Sequence, residues 1–451
     1  MKAAFHTLGC KVNAYESQAI LEQFCGNGFA IVDFREAADV YIVNTCSVTA
    51  EAARKSRQML HRCKKISPDC LVVACGCYAQ EVKEELLSDG AVDLVVGNNE
   101  KNQIAEIVLE MLRQKSTVQQ EPFAGQESLP EHIFYQDMTH CAEYEEQEIT
   151  SQGEHVRAYV KIQDGCDRFC SYCIIPYLRG RSRSRKPEEI RKEVTQLSEN
   201  GYREIILTGI DMSDYNKDGK TLADIIGIVN EIPGIERIRV SSLEERIITE
   251  DFLRQIAGYE KLCPHFHLSL QSGCDATLKR MNRHYTAKEY LDAVAMIRRY
   301  FHDPAITTDV IVGFPGESEE EFVESMMTVE QAAFSEVHVF PYSRRKGTKA
   351  DQMPDQLTRQ QKAQKVDIMM KLTRRMQMDY LRSFLGKELS VLVEEEVREK
   401  EKCYQTGFSR NYLKCAINTN EKLINKIVTF VAEEIGEING EPVLKGKEKI
   451  S

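Results

Sequence analysis

The strongest constraint on the fold is an alternation, along most of the chain, of short apolar runs with longer amphipathic stretches. In the amino-terminal third the apolar runs are 3–8, 40–44, 71–74 and 91–96, and helical patterns such as 16–24 follow them. This alternation predicts an open α/β sheet of parallel strands joined by helices. The carboxyl ends of parallel strands lie along one edge, where ligands bind.

The same alternation returns between residues 156 and 343 and predicts a second parallel sheet, curled into a full or partial barrel. Its strand-like runs are 205–208, 238–242, 265–270, 305–312 and 337–340. A helical stretch, 357–385, is expected to close this barrel, because its apolar residues recur every three or four positions. Chemistry is expected at the carboxyl ends of the strands.

Beyond residue 387 the pattern changes to short strands with polar turns, which predict a small antiparallel β-barrel, a shape that often binds RNA. The acidic stretch 121–154 has no clear periodicity and is the best candidate for a linker. We therefore expect four segments: an amino-terminal α/β domain, a linker, a central barrel and a carboxyl-terminal barrel, at 1–115, 116–153, 154–385 and 386–451.

Cys166, Cys170 and Cys173 follow the first strand of the central barrel, with three and then two residues between them. Three thiolates at this spacing can hold three irons of a cubane cluster and leave the fourth iron open for a ligand. A structural zinc site would need a fourth ligand, and no partner pair of cysteines follows nearby. A redox pair would use only Cys170 and Cys173. The iron–sulfur interpretation is therefore favoured.

Cys10, Cys46 and Cys77 each lie just beyond the end of a predicted strand of the amino-terminal sheet. Because those ends share one edge, the three thiolates are expected to converge on a second cluster with one open iron. Isolated cysteines are commonly buried apolar residues, and Cys75 competes with Cys77 as the third ligand. The cysteines without such a loop context are expected to be structural: Cys25, Cys63 and Cys70.

Polar residues follow the predicted strands of the central barrel and form a rim able to hold a nucleoside and an amino acid. They are Thr208-Gly209, Ser241-Ser242, Ser269 to Gly273, and Asp309.

The net charge of −11 argues against a globally basic nucleic-acid-binding surface, so RNA would need a local basic patch. One candidate patch follows the cysteine run: Arg179, Arg181, Arg183, Arg185 and Lys186. The fifteen cysteines fit metal ligands and buried apolar residues of a reducing compartment. Since no apolar stretch approaches the length of a membrane span, we expect a cytoplasmic protein.

The cysteine run, with an aromatic residue before its last cysteine, resembles that of radical S-adenosylmethionine enzymes. The segments around His267 to Cys274, Met281 to Thr286 and Asp309 to Glu317 resemble one branch, the methylthiotransferases. Leu-Gly-Cys, Asn-Thr-Cys and Gly-Cys-Tyr-Ala-Gln look like the auxiliary-cluster loops of that branch, which selects Cys77 over Cys75. The resemblance covers nearly the whole chain.

The resemblance implies two 4Fe-4S clusters and S-adenosylmethionine as cofactors. Cys166, Cys170 and Cys173 would be catalytic ligands of the cluster that cleaves the cofactor, and Cys10, Cys46 and Cys77 would hold the cluster that supplies a methylated sulfur. The expected contacts to S-adenosylmethionine are Tyr172, Thr208, Gly209, Ser242, Ser269, Gln271 and Asp309. A flavodoxin- or ferredoxin-type protein would supply electrons.

The start of the chain, from Leu8 to Ser17, looks most like the branch that modifies threonylcarbamoyladenosine 37 of tRNA. The expected partner is the anticodon loop, with no DNA and no membrane. The alternatives are isopentenyladenosine 37, an aspartate of a ribosomal protein, and a non-catalytic iron–sulfur RNA-binding module. Solvated surface charge competes with a role for three cations that could meet the threonyl carboxylate: Arg344, Arg345 and Lys346.

The run from Gly407 to Lys414 looks like the RNA-binding TRAM domain, although acidic residues roughly balance the basic ones there. RNA contact would then depend on which face carries the basic residues, with Tyr412 available for stacking. Those basic residues are Arg410, Lys414, Lys422 and Lys426. A barrel used only for packing is the alternative.

Overall fold

The computed structural model describes residues 1–118, 132–153, 155–399 and 402–449. The chain forms two compact units. The first comprises Met1–Gly153, Gln163–Arg185 and Ser343–Thr348, and the second comprises the other described residues. The cysteine run thus belongs to the same unit as the amino-terminal sheet.

The first unit contains a six-stranded parallel sheet in the order β2-β1-β3-β4-β5-β6. Its strands are β1 (Lys2–Thr7), β2 (Ala30–Val32), β3 (Val40–Thr45), β4 (Leu71–Gly76), β5 (Leu94–Val96) and β6 (Ile133–Phe134). Its helices are α1 (Lys11–Gly26), α2 (Ala50–Ile66), α3 (Cys77–Glu81), α4 (Lys83–Ser88) and α5 (Ile104–Val118). β3 and β4 are buried throughout, as expected for the centre of a parallel sheet covered on both faces. The predicted open α/β sheet is confirmed.

Part of the expected linker is structured in this unit. β6 adds a sixth strand to the sheet. Thr150 and Ser151 donate backbone N–H bonds to the Glu22 carboxylate on α1, at 2.8 and 2.9 Å. Residues 119–131 lie outside the described part of the chain, and the domain boundaries given above stay predictions.

The segment 157–341 contains a second series of strands and helices. The strands are β7 (Arg157–Lys161), β8 (Gln163–Asp164), β9 (Arg183–Ser184), β10 (Glu204–Thr208), β11 (Asn216–Lys217), β12 (Lys220–Thr221), β13 (Arg237–Val240), β14 (His265–His267), β15 (Ala305–Val312) and β16 (Glu336–Pro341). The helices are α6 (Ile175–Arg179), α7 (Pro187–Glu199), α8 (Leu222–Asn230), α9 (Glu250–Ala257), α10 (Asp275–Arg280), α11 (Ala287–Tyr300) and α12 (Glu319–Ala332). β8 and β9 pair with each other in the first unit.

In the second unit, six parallel strands form two sheets, β13-β10-β7 and β14-β15-β16. Single parallel bridges, Ile238 to Leu262 and Leu243 to Leu268, join the two sheets edge to edge. The long helix α13 (Arg359–Arg382) begins at a capping box of Thr358 and Gln361 and packs against β16. The predicted partial barrel with its closing helix is therefore confirmed.

The carboxyl-terminal part of this unit is a closed five-stranded barrel in the order β17-β18-β19-β21-β20. Its strands are β17 (Glu388–Glu399), β18 (Lys402–Ser409), β19 (Lys414–Asn418), β20 (Ile427–Ile438) and β21 (Glu441–Glu448). The predicted small barrel is confirmed, but β19 and β21 are parallel, so it is not antiparallel throughout. A closed ring of five strands cannot alternate direction at every step, because five is odd.

Buried arginines attach this small barrel to the first residues of the parallel strands. Arg239 of β13 donates to Glu204 of β10 at 2.6 Å and to the carbonyl oxygens of Ser409 and Arg410. Arg237 donates to the Phe408 carbonyl at 2.9 Å. These bonds satisfy carbonyl groups at the end of β18 and fix the barrel at the amino-terminal ends of β10 and β13.

Candidate iron–sulfur cluster site

Three neighbouring strands of the first unit end at the predicted auxiliary cysteines. Cys10 precedes α1, Cys46 follows β3, and Cys77 begins α3 directly after β4. The thiols are close enough that the charges of Cys77 and Cys10 both act on Cys46, and that of Cys77 acts on Cys10. The structure thus brings together the trio that the sequence predicted.

Two glycines allow this convergence. A Cβ atom on Gly9 would lie 3.1 Å from Cys46 Sγ, so glycine lets the loop before Cys10 approach Cys46. Gly76 has a φ of +89°, and a Cβ atom there would lie 2.5 Å from the Thr45 carbonyl oxygen. Only glycine fits this conformation and approach without strain.

Cys46 and Cys77 are buried, whereas Cys10 is exposed. Burial raises the pKa of Cys46 to about 11 and also raises the pKa of the Cys10 thiol. Thiols of this kind stay protonated unless a positive centre compensates the thiolate charge, so metal loading would release protons. Three soft donors on one sheet edge suit iron or another thiophilic metal.

A fully buried network of charged and polar groups lies beside Cys77. Arg179 at the end of α6 donates Nε–H to Cys77 Sγ at 3.3 Å. Its two terminal nitrogens donate to Glu16 at 2.9 and 3.1 Å, to Asp164 at 3.0 and 3.1 Å, and to Asn13 at 2.9 Å. Lys101 donates to Glu16 at 2.7 Å. The guanidinium is therefore held rigidly against the sulfur of a predicted cluster ligand.

Cys75, the competing third ligand, has a different setting. It packs in the apolar core of the sheet with Ile42 and Val96. Burial raises its pKa to about 12, and its thiol approaches the Val43 carbonyl oxygen at 3.8 Å. Cys63 and Cys70 are core residues as expected, while Cys25 is exposed. The arginine and asparagine donors point to Cys77 instead.

The run Cys166 to Cys173 forms the loop between β8 and α6. Gly165 has a φ of +74°, and a Cβ atom there would lie 2.0 Å from the Arg181 carbonyl oxygen, so no side chain fits. The loop is closed by bonds from Cys166 N–H to the Gly180 carbonyl at 3.1 Å and from Cys173 N–H to the Cys170 carbonyl at 3.0 Å. Arg168 N–H donates to Cys166 Sγ at 3.4 Å. Tyr172 is half-buried in the same loop.

The basic patch predicted after this loop is wrong for three of its arginines. Arg179, Arg183 and Arg185 are buried, and they bond to partners within the first unit. Arg181 is exposed but pairs with Asp167 at 3.1 Å. Charge density alone predicts exposure, whereas acceptors within the first unit satisfy these buried guanidinium groups.

The expected contacts to S-adenosylmethionine on the second unit lie at or after the carboxyl ends of consecutive strands. Thr208 ends β10, and its hydroxyl bonds to that of Ser241 at 3.1 Å. Gly209 follows Thr208, and Ser242 follows β13. Ser269 is buried, and its carbonyl oxygen accepts from Tyr285 and Arg283. The structure brings these residues to one edge, and their role as cofactor contacts stays a prediction.

Gln271 pairs with β15 at Val310, the residue after Asp309. The Gln271 N–H donates to the Asp309 carbonyl oxygen at 2.9 Å, and the Ile311 N–H donates to the Gln271 carbonyl at 2.8 Å. Gln271 has a φ of +64°, a conformation that non-glycine residues rarely adopt and that recurs at functional sites. The Asp309 side chain is about one-third exposed.

Several buried polar residues of these sites were not predicted. Glu16, Asn13, Lys101 and Asp164 complete the network around Arg179, although their types alone favour the surface. In the second unit, Glu244 pairs with Arg283 at 2.9 Å just beyond β13. The sequence alone gives no signal for these residues, because a buried charged residue can be recognised only when its partner is known.

Among the cations considered for the threonyl carboxylate, Arg345 is buried and paired with Glu81. Arg344 and Lys346 are exposed. Arg345 therefore has a partner within the first unit, and a role for any of the three in binding the threonyl carboxylate stays a prediction.

Some of the expected RNA contacts of the small barrel are used within the protein, and others are exposed. Tyr412 stacks on His265 at 4.3 Å and on Phe408 at 4.7 Å, so its ring is used in packing. Arg410 donates to the Glu260 and Leu262 carbonyl oxygens, and Lys414 pairs with Glu441. Lys422 and Lys426 are exposed. RNA binding by this barrel stays a prediction and would fall mainly to these two lysines.

Comparison with known proteins agrees with the site. Residues 160–329 match the radical SAM superfamily, and residues 2–97 match uncharacterized protein family UPF0004. The chain is 37% identical over 429 residues to the threonylcarbamoyladenosine tRNA methylthiotransferase MtaB of Bacillus subtilis, covering 94% of this chain and 92% of that protein. It is 39% identical over 403 residues to MtaB of Aquifex aeolicus, covering 88% and 94%.

A second group of relatives differs in name. The tRNA-2-methylthio-N(6)-dimethylallyladenosine synthase of Acetivibrio thermocellus is 34% identical over 433 residues, covering 94% of this chain and 86% of that protein. Among solved structures, the radical S-adenosylmethionine methyltransferase TsrM of Kitasatospora setae, with cobalamin and a 4Fe-4S cluster bound, shares the fold with a TM-score of 0.56. The match covers 78% of this chain and 77% of TsrM at 13% identity.

The cysteine loop after the first strand of a parallel β/α barrel, together with these matches, defines a radical S-adenosylmethionine enzyme. Within that class, the chain belongs to the tRNA methylthiotransferase family. Its cofactors are S-adenosylmethionine and two 4Fe-4S clusters. The two trios of thiols fit them, because each offers three sulfur donors beside glycines that shape the backbone. None of the described helices is both long and apolar enough to cross a bilayer.

Proposed function

We propose that this protein converts N6-threonylcarbamoyladenosine at position 37 of tRNA to its 2-methylthio derivative. The observation that carries the proposal is the convergence of Cys10, Cys46 and Cys77 at one sheet edge, in the same unit as the Cys166–Cys173 loop. A radical enzyme that only cleaves its cofactor needs one open cluster, whereas sulfur transfer gives a second open cluster a purpose. The relatives named for threonylcarbamoyladenosine favour that substrate.

The residues named here have two kinds of proposed role, binding a cofactor and positioning a ligand. Cys166, Cys170 and Cys173 would hold the cluster to which S-adenosylmethionine binds, with Tyr172, Thr208, Gly209, Ser242, Ser269, Gln271 and Asp309 as its contacts. The cofactor, when bound and reduced there, supplies the radical chemistry that an unactivated aromatic carbon requires. Cys10, Cys46 and Cys77 would hold the second cluster, and Arg179 would orient and neutralise the Cys77 thiolate.

The anticodon loop of tRNA is the proposed partner, since its single-stranded bases can be splayed into a pocket. A flavodoxin- or ferredoxin-type protein is the proposed electron donor, and the proposed location is the cytoplasm.

Mass spectrometry of tRNA nucleosides from a strain lacking the gene tests the substrate. We expect the 2-methylthio derivative to disappear and threonylcarbamoyladenosine to accumulate. A plasmid with the wild-type gene should restore the modification, and one encoding Cys166→Ala should not. An unchanged amount of the derivative in the deletion strain would refute the assignment.

The same strain separates the alternatives. Loss of 2-methylthio-isopentenyladenosine would favour the isopentenyl substrate, and loss of a methylthio mass from a ribosomal protein would favour protein modification. A non-catalytic RNA-binding module predicts that the reduced protein forms no 5′-deoxyadenosine from S-adenosylmethionine.

A further inference from the structure

One face of the sheet β14-β15-β16 is unusually polar. Strand register places His267 beside Thr307, and Asp309 beside His338, on three neighbouring strands. Most of the intervening residues named for the opposite face are apolar, including Phe266, Ile306 and Val310, and the buried Thr308 is the polar one among them. Because strand residues alternate between faces, the polar side chains share one face of the sheet.

Three of these side chains converge. His267, Asp309 and His338 each offer one ligand atom, and the three atoms all lie within 4.8 Å of one another. His267 Nε2 lies 3.5 Å from Asp309 Oδ2. His267 and Asp309 are half-buried, while His338 is exposed, so solvent reaches the group from one side.

The orientation of His267 is set by a neighbouring hydroxyl. Its Nδ1 lies 3.0 Å from Thr307 Oγ1, as expected when Nδ1–H donates to that oxygen. Nε2 of the neutral ring then carries a lone pair toward the Asp309 carboxylate. With this tautomer, a metal ion bound between Nε2 and Oδ2 would satisfy both acceptors, which lie 3.5 Å apart. A hydrogen bond from the other ring nitrogen is the usual second-sphere support of a metal-binding histidine.

The third side chain completes a set of ligands. Two imidazoles and one carboxylate are the donors of three-ligand zinc sites and of the iron facial triad. Metal bonds of about 2.0–2.2 Å would draw the ligand atoms closer than 4.8 Å. The exposed His338 ring can make that adjustment by rotating, without disturbing the core.

We propose that His267, Asp309 and His338 form a binding site for one divalent transition-metal ion, with at least one coordination position open to an oxygen ligand. On this proposal Asp309 is a metal ligand, and the contacts proposed above for S-adenosylmethionine are reduced to the other six residues. The site shares no residue with either cysteine trio. It does not depend on methylthiotransfer, so its test is independent of the proposed function.

Zinc is the probe, because it accepts this donor set without redox chemistry. The full chain, with its clusters reconstituted under anaerobic conditions, is dialysed against buffered Zn²⁺, and zinc and iron per chain are measured by plasma mass spectrometry. The variants are His338→Ala, Asp309→Asn and the matched control His302→Ala. His302 is 93% exposed and lies outside the group.

We expect about one more zinc per chain in the wild type and in His302→Ala than in the other two variants, whose zinc affinity should fall at least tenfold. X-ray absorption of that zinc should show nitrogen and oxygen neighbours near about 2.0–2.1 Å and no sulfur near about 2.3 Å. Equal zinc in the wild type and His338→Ala, or sulfur around the zinc, would overturn the proposal. Equal iron in all samples would show that zinc has not replaced iron in damaged clusters.

Discussion

Arg179 donates a hydrogen bond from Nε to the sulfur of Cys77 over 3.3 Å. Arg179 lies six residues after Cys173 and ends the short helix that follows the first cysteine trio, whereas Cys77 belongs to the second trio. A change at this arginine therefore acts directly on a proposed ligand of the second cluster.

The first prediction concerns the potential of that cluster. Hydrogen bonds to sulfur stabilise the reduced, more negative state, so their loss lowers the reduction potential. Arg179→Lys keeps a positive charge but removes the Nε donor. We expect the potential to fall by about 60–130 mV, the one-electron equivalent of the roughly 1.5–3 kcal/mol of a charge-assisted hydrogen bond. Titration monitored by electron paramagnetic resonance measures it.

Arg181→Lys is the control for this measurement, because Arg181 is exposed and paired with Asp167. It should leave both cluster potentials unchanged. Equal potentials in Arg179→Lys and the wild type would show that the 3.3 Å contact has no electronic consequence.

The second prediction separates two cysteines that are two positions apart. Cys77→Ala should lose the second cluster and about half of the bound iron. Cys75→Ala should keep all of it and lose only about 1 kcal/mol of stability, because Cys75 packs in the core. Iron and sulfide analysis of reconstituted protein decides, and the reverse pattern would assign the ligand to Cys75.

The third prediction tests the two-cluster arrangement. The wild type should hold about eight irons, and the triple variant with Ala at 166, 170 and 173 should keep about four. The remaining cluster should still show its own paramagnetic resonance signal on reduction. Retention of all or none of the iron would contradict two separate sites.

The fourth prediction concerns the attachment of the small barrel. Arg239→Ala leaves the buried Glu204 carboxylate without its closest partner, which should cost about 3–5 kcal/mol. Amide hydrogen exchange in β18 should therefore accelerate at least about a hundredfold. The control, Arg203→Ala, breaks an exposed pair with Glu236 and should change exchange little. Similar exchange in both variants would refute a structural role for Arg239.

The fifth prediction is a pH dependence. Burial, with the charge of Glu244, raises the pKa of Glu245 from its ordinary value of 4.5 to about 7. Between these values the folded state holds a proton that the unfolded chain has released, so stability falls as pH rises from 4.5 to 7. Glu245→Gln should therefore be more stable than the wild type by about 2 kcal/mol at pH 8 and about equal at pH 5.

Thermal unfolding followed by circular dichroism at both pH values measures this difference. An equal difference between variant and wild type at the two values would show that Glu245 does not titrate in this range.

The sequence was sufficient for the sheets because their strands are short apolar runs with helical stretches between them. It also placed Cys10, Cys46 and Cys77 together, since the carboxyl ends of parallel strands share an edge. It failed for Arg179, Arg183 and Arg185, because charge density indicates solvent unless the buried partners are known. Glu16 and Asp164, which neutralise Arg179, lie 163 and 15 positions from it in the chain.

Other features depend on strand order or register, which short motifs do not specify. The parallel pair β19 and β21 follows from closing a barrel with five strands. The group of His267, Asp309 and His338 requires β14, β15 and β16 to be neighbours in one register. Tyr412 was predicted to be available for stacking on RNA, but His265 and Phe408 already stack against its ring.

The bond between Arg179 and Glu16 joins residues 163 positions apart. During synthesis at about 5–20 residues per second, roughly 8–30 s therefore pass between the synthesis of Glu16 and that of Arg179. Until then Glu16 lacks one of its two cationic partners, although Lys101, which pairs with it at 2.7 Å, is made earlier. During that interval the nascent sheet would be a substrate for chaperones and proteases. Metal loading of its cysteines would then come late in the synthesis and folding of the chain.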